Sequence, residues 1–309
     1  MIIRTLSDYC KEKFGTKVYR LSLSTGCSCP NRDGKAGRGG CSFCSEGGSG
    51  EFAAKVKPIE EQIEEAKDRV KSKFPKDIKE EDKKYIAYFQ SFTNTYGDVD
   101  RLGGIFKTAV LREEIAAISI GTRPDCLEDD MLALLDELNK IKPVWIELGL
   151  QTIHEDSAKA FNRGYSLPVF NKAYMELKKR NIEVIVHVIL GLPGETDKDM
   201  YETVRYLANL SPKLDGIKLH LLHILKNTRL EREYRKKPFK ILSLDEYTEI
   251  LINCLRILPE SVVIHRMTGD GDKRLLVEPL WSGDKKRVLN TINKAIRAVS
   301  YTHLRAHET

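Results

Sequence analysis

The sequence predicts an α/β fold in which βα units wrap into a full or partial barrel, and three observations carry that reading. Short runs rich in Ile, Val and Tyr alternate with segments of helical periodicity along most of the 309 residues. A polar motif follows nearly every such run, where the strands of a barrel end at its reactive edge. The composition, 41% hydrophobic and 31% charged, is that of a folded globular chain and excludes disorder and collagen-like sequence. No run of about 18 apolar residues is present, so no membrane partner is expected. The first residues lack an apolar stretch with a cleavage site, so nothing points to export.

The first strand is read at 18–23, and the segment 24–50 after it is dense in Gly, Ser and Pro. A loop of this length inside a compact domain is usually functional. It holds four of the chain's seven cysteines: Cys27, Cys29, Cys41 and Cys44. An odd cysteine count in a long chain without an export signal favours metal or redox chemistry over a disulfide framework. Two arrangements compete. All four sulfurs around one ion give a closed, structural zinc site. Cys29, Cys41 and Cys44 alone give an iron–sulfur cluster with one iron left open. Thiolates suit both metals, but an open iron needs a bound reactant and a cavity to enclose it, which a barrel supplies.

The remaining elements follow in order. A helix at 59–72 precedes a strand at 85–89, which ends in Gln90-Ser91-Phe92-Thr93-Asn94-Thr95-Tyr96. After a helix at 98–111, the strand 115–120 runs into Gly121-Thr122-Arg123-Pro124-Asp125-Cys126. A helix at 129–139 leads to the strand 144–148, beside Gly149-Leu150-Gln151-Thr152. Helices at 155–161 and 169–180 come next, then the strand 183–189 with Gly191-Leu192-Pro193-Gly194-Glu195-Thr196 after it. A helix at 198–210 and a strand at 216–222 complete the series, with a further short run at 262–264.

At this point the chain resembles the radical S-adenosylmethionine (SAM) enzymes over roughly residues 15–225. Phe43, just before the last clustered cysteine, is typical of that superfamily's cluster loop, and the 191–196 turn is similar to its adenine-side SAM motif. More narrowly, Cys29-Pro30-Asn31-Arg32-Asp33-Gly34, Gly40-Cys41-Ser42-Phe43-Cys44, Tyr88-Phe89-Gln90 with Thr93-Asn94-Thr95, and Gly121-Thr122-Arg123-Pro124-Asp125 resemble the YhcC/YtqA family, of the Elongator-like branch. Eleven residues separate the first two ligands where the superfamily usually has three, a spacing that is this family's habit.

The resemblance implies a partial (β/α)6 TIM-like barrel over 1–230, with the cluster loop at 24–50 and a small C-terminal extension at 231–299. It implies a [4Fe-4S] cluster on Cys29, Cys41 and Cys44, with Cys27 not a ligand, and S-adenosylmethionine on the open iron. Reductive cleavage of SAM then yields a 5′-deoxyadenosyl radical that abstracts hydrogen from substrate. For SAM it implies Gln90, Ser91 and Asn94 at the amino group, Arg123 and Gln151 at the carboxylate or ribose, and Gly191, Leu192 and Pro193 at adenine. An electron donor such as flavodoxin or ferredoxin and a cytoplasmic location are further expectations. So is tRNA as the substrate: a carboxymethylaminomethyl-uridine at the wobble position, whose carboxymethyl group is removed to leave a product for a separate methyltransferase.

Other features stay open. Arg123 serves equally as an ordinary ion-pair partner. His187 reads as an inward-facing barrel histidine or a satisfied core one; His220 and His223 sit at a strand end within reach of substrate. His154 and His265 have no zinc-helix spacing. Cys10 and Cys254 read as packing residues, and Cys126 as core or surface. Between Lys213 and Lys240 lie nine Lys or Arg and three acidic residues, a local net of +6 that equals the whole chain's excess. Lys226, Arg229, Arg232, Arg235, Lys236 and Lys237 are the candidates there for contact with a phosphate backbone; a solvated helix face is the alternative. The loop 267–272 is either a plain turn or an approach to the barrel mouth. Residues 300–309 depart from the preceding helix pattern and read as a non-native read-through tail. Two other functions remain: a radical SAM enzyme on a small metabolite or protein, and a zinc-stabilised, non-enzymatic RNA-binding module. A barrel used only as a docking scaffold is a further reading.

Overall fold

The computed structural model describes residues 3–48, 53–269 and 271–306, with side chains through residue 299. Seven parallel strands form one curled sheet, a partial barrel, in the order β1 (Val18–Leu23), β2 (Lys84–Phe89), β3 (Ile115–Thr122), β4 (Val144–Gln151), β5 (Glu183–Leu190), β6 (Gly216–Leu221) and β8 (Val263–Arg266). Between β6 and β8 comes the two-residue β7 (Ile224–Leu225), which pairs antiparallel with β9 (Leu276–Glu278). The six expected strands are present. The run at 262–264 is a seventh, in register with β6, so the C-terminal region adds to the sheet itself.

Helices form the outer layer, among them α3 (Ile59–Val70), α4 (Val99–Val110), α5 (Asp129–Ile141), α6 (Glu155–Ala160), α7 (Leu167–Lys179), α8 (Asp197–Ala208) and α10 (Leu244–Ile257), whereas α1 (Leu6–Phe14) lies against the lumen. Their starts are written in the sequence. Asp98 caps α4 by accepting from the Arg101 N–H at 2.8 Å, and Thr196/Asp199 and Ser243/Glu246 close capping boxes on α8 and α10. The backbone of α11 (Lys285–Ala306) runs past the point where the sequence pattern lapses; residues 307–309 of the suspected tail lie outside the described residues.

Side chains alternate along each strand between helix layer and barrel lumen. Ala87, Phe89, Ile118, Ile120, Ile146, Leu148, Val184, Val186, Val188, Ile217 and Leu219 belong to the main apolar core with the helices. The opposite parity builds the lumen in layers. Ile86, Ala117, Trp145 and Ile185 form its floor, packed with Cys10, Leu6, Tyr9 and Phe14 of α1. Helix α1 is therefore a plug: Thr5 bridges to Ile264, and the Tyr9 and Phe14 rings lie 5.9 and 6.3 Å from that of Trp145. Gly216 is required here, because a Cβ on it would meet the His265 ring at 2.8 Å. Two residues up each strand the lumen turns polar.

Candidate active site

The loop after β1 is shaped by backbone turns that glycine permits. Cys29 is the N-cap of the single-turn helix α2 (Pro30–Asp33), with Pro30 at its first position and Gly34 ending it at φ +100°. Gly39 and Gly40 both take positive φ, returning the chain so that the Gly40 N–H donates to the Asn31 carbonyl at 2.8 Å. Cys41 to Cys44 is a tight turn, with the Cys44 N–H donating to the Cys41 carbonyl at 3.0 Å. Arg32 fastens it from outside by donating to the Cys44 and Ser45 carbonyls.

Cys29, Cys41 and Cys44 are each only partly covered, and Cys29 and Cys44 lie near enough to act electrostatically on Cys41. Burial pushes the Cys41 thiol up to about 12, with Cys44 and Cys29 adding negative charge beside it. Such a thiol stays protonated near neutral pH unless a positive charge, such as that of a bound metal, is set beside it. The Asn31 amide, fully buried, directs Nδ2 at Cys41 Sγ from 3.7 Å, a donor suited to a metal-bound sulfur. This donor set fits an iron–sulfur cluster. Cys27 is turned away: it is buried in the apolar core, and its Sγ accepts from Arg101 at 3.2 Å. The four-cysteine zinc arrangement loses its fourth ligand.

The loop is seated on three other segments. The Ser42 N–H donates to the Phe161 carbonyl at 2.9 Å, and its own carbonyl accepts from the Leu230 N–H of α9 (Arg229–Lys236) at 2.8 Å. The Thr93 N–H donates to the Ser28 carbonyl at 3.2 Å, and the Phe92 N–H to the Gly48 carbonyl at 3.2 Å. Gly48 cannot be substituted simply, since a Cβ there would overlap the Phe92 ring.

The residues assigned to SAM fall into two groups. Gln151 borders a cavity of about 210 Å³ at the barrel mouth, also lined by Phe43, His187, His220, His223 and Arg266. Gln151 stands at φ +66° in a bulge of β4 and receives the Tyr165 hydroxyl at 3.3 Å. Leu192 and Pro193 border a smaller apolar cavity, about 60 Å³, with Phe43, Phe161, Leu222 and Leu230. Gly191 makes this turn at φ +88°, its N–H on Met200 Sδ. Glu195 follows, its carboxyl pushed up by burial although Thr152 and Ser157 bond to it.

The second group is engaged in the wall. Asn94 is fully buried, accepting from the Thr25 hydroxyl at 2.8 Å and donating to the Gly121 carbonyl at 3.0 Å. Arg123 grips Asp125 through two bonds of 2.9 and 2.7 Å and donates to the Arg163 carbonyl at 2.9 Å. These bonds form the ion pair that the sequence allowed beside a SAM contact. Ser91 is buried and Gln90 half-buried at the end of β2.

The basic segment is not one patch. Lys218 is inside the barrel; Arg229 pairs with Glu233, Arg235 with Glu231 and Lys240 with Glu246. Lys226, Arg232, Lys236 and Lys237 stay exposed on and beside α9. The loop 267–272 does reach the barrel mouth: Gly269 and Gly271 line the larger cavity and pack on the His223 ring, while Asp270 lies outside the described residues.

Sequence reasoning missed the lumen's polar layer. Glu147 of β4 is buried and takes the Tyr88 hydroxyl at 2.9 Å, Ser119 Oγ at 3.0 Å, His187 Nε2 at 2.9 Å and the Lys218 ammonium. The signal was available: one Glu and one Lys at the centres of otherwise apolar strands. Arg163, 1% exposed and bonded to the Leu150 and Thr152 carbonyls, gave no comparable sign.

Similarity to known proteins gives the family. The Radical SAM superfamily model matches residues 28–207, and the Radical_SAM C-terminal domain model residues 214–298. YtqA of Bacillus subtilis is 42% identical over 293 residues, 94% of this chain and 88% of the relative. A tRNA uridine(34) acetyltransferase of Methanocaldococcus infernus is 27% identical over 171 residues, 54% of this chain and 31% of that protein. Among solved structures, the Elp3 protein of Methanocaldococcus infernus superposes with a TM-score of 0.63 at 17% identity, over 84% of this chain and 58% of that one. The chain is an enzyme that uses a [4Fe-4S] cluster and SAM, and it belongs to the radical SAM superfamily and, within it, to the YhcC/YtqA family.

Proposed function

We propose that this enzyme acts on the modified wobble uridine of tRNA, removing the carboxymethyl group from carboxymethylaminomethyl-uridine. The observation that carries the reading is the larger cavity, where Arg266 and three histidines stand beside the cluster loop's Phe43. A carboxymethyl group is an anion, and Arg266 gives its chamber a matching cation. The similarity to a tRNA uridine(34) acetyltransferase supports a uridine substrate, and the exposed Lys226, Arg232, Lys236 and Lys237 near the cluster loop suit a phosphate backbone.

Cys29, Cys41 and Cys44 would hold the cluster, which with SAM supplies a carbon radical that takes hydrogen from substrate. The protein's own part is enclosure and placement. Phe43, packed 5.3 Å from Phe161, lines both cavities, and α9 adds Leu230 to the wall of the smaller one.

Nucleoside mass spectrometry of tRNA from a deletion strain tests the substrate. The carboxymethylaminomethyl form should accumulate, and an unchanged profile rejects it. An electron donor of the flavodoxin or ferredoxin type and a methyltransferase acting on the product belong to this proposal.

A further inference from the structure

The polar layer of the lumen fixes the chemistry of one residue on the cavity wall. Glu147 is enclosed by donors alone: Tyr88 of β2, Ser119 of β3 and Lys218 of β6, with His187 of β5 as the fourth. In that company it is a carboxylate, an acceptor at both oxygens. Its fourth bond, at 2.9 Å, must therefore be donated by His187 Nε2. An imidazole protonated at Nε2 and neutral overall has Nδ1 as an acceptor.

Neutrality follows from the surroundings. Lys218 sits beside His187 in direct strand register, and Arg266 beside Lys218. Arg20 of β1 and His265 of β8 meet at 3.3 Å across the open side of the barrel, and the His220 ring lies 5.2 Å from that of His187. Burial and these cations hold His187 below the ordinary histidine range, Glu147 alone opposing them.

We infer that His187 is a substrate-orienting residue whose Nδ1 accepts a hydrogen bond from an N–H or O–H group entering the larger cavity, with Glu147 and Lys218 as the positioning pair that fixes its tautomer. The lumen thus selects a hydrogen-bond donor beside the anion that Arg266 favours, the chemistry of an N-substituted glycine. Only the naming of that donor as the amine of carboxymethylaminomethyl-uridine rests on the proposed function.

Side-chain ¹⁵N NMR of the full chain, with the His187 signals assigned through its bonded backbone, tests this. Expected is a neutral, Nε2-protonated ring from pH 6 to 8; an Nδ1-protonated or charged ring in that range overturns the inference. Tyr88, His187 and Lys218 all meet one oxygen of Glu147 and Ser119 the other, so the Glu147→Leu/Lys218→Met variant removes the acceptor of Nε2–H without leaving a buried charge, and Nδ1–H should appear. A folded Glu147→Leu/Lys218→Met variant that retains Nε2–H alone overturns the positioning role. Three probes then address the acceptor: 5-carboxymethylaminomethyl-uridine, 5-aminomethyl-uridine and N-methylglycine. A shift of the Nδ1 signal with the first nucleoside supports inference and substrate together. A shift with N-methylglycine alone supports the inference and removes the uridine. No shift with any of the three overturns the inference.

Discussion

The cysteine loop and the lumen's polar layer lie within one site but are built on opposite plans. The loop gathers its chemistry from a short contiguous stretch and holds it with main-chain bonds, such as Cys44 N–H to Cys41 and Leu230 N–H to Ser42. The polar layer takes one side chain from each of five strands and holds them by charge and hydrogen bonds to a single buried carboxylate. The first arrangement should fail in function and keep its fold. The second should fail in stability, since a charge left alone in the barrel interior has no water to turn to.

The largest effect tests the loop side. Cys29→Ala, Cys41→Ala and Cys44→Ala should each abolish the visible absorption of the iron-reconstituted protein and its SAM cleavage. Cys27→Ala should retain both and lose only about 1 kcal/mol of stability, for one deleted hydrogen bond from Arg101. Equal damage at Cys27 would bring back the four-sulfur arrangement. Next, Lys218→Met strands Glu147 and should cost about 3–5 kcal/mol in urea denaturation, while the Glu147→Gln/Lys218→Met pair should recover much of it. A single variant as stable as the parent would erase the contrast between the two regions.

A third effect is set by pH. His187, His220 and His265 are all held below the ordinary histidine range, first by burial and then by neighbouring positive groups. Below about pH 6.5 the unfolded chain therefore binds more protons than the folded one, and stability falls as pH falls. Each imidazole contributes up to about 1.4 kcal/mol per pH unit. The urea midpoint should be lower at pH 5.5 than at pH 7.5; a midpoint unchanged between them would mean that the three rings titrate in the folded state as they do in the unfolded chain.

The same contrast explains what was legible in the sequence. Cys29, Cys41 and Cys44 were readable as candidate ligands because the spacing of neighbours along the chain is itself the signal, and the strands were readable because their apolar runs alternate with helices. The seventh strand was read only as a short run at 262–264 because β8 is four residues long and owes its place to register with β6. Glu147, Lys218 and Tyr88 meet only once strand register is known, because 130 residues separate Tyr88 from Lys218. Asn94 and Arg123 carry polar groups to strand ends, as read. Whether such a group faces the cavity or braces the wall depends on partners, Thr25 and Asp125, whose proximity no local pattern shows.

One main-chain bond sets a timetable. The Ser42 carbonyl, between two of the proposed cluster ligands, is held by the N–H of Leu230, which is made about 190 residues later. At synthesis rates of about 5–20 residues per second, the cysteines wait on the order of ten to forty seconds before their brace exists. The loop is accordingly braced only after the first six strands of the barrel have been translated, and until then its three cysteines stand on an incomplete sheet.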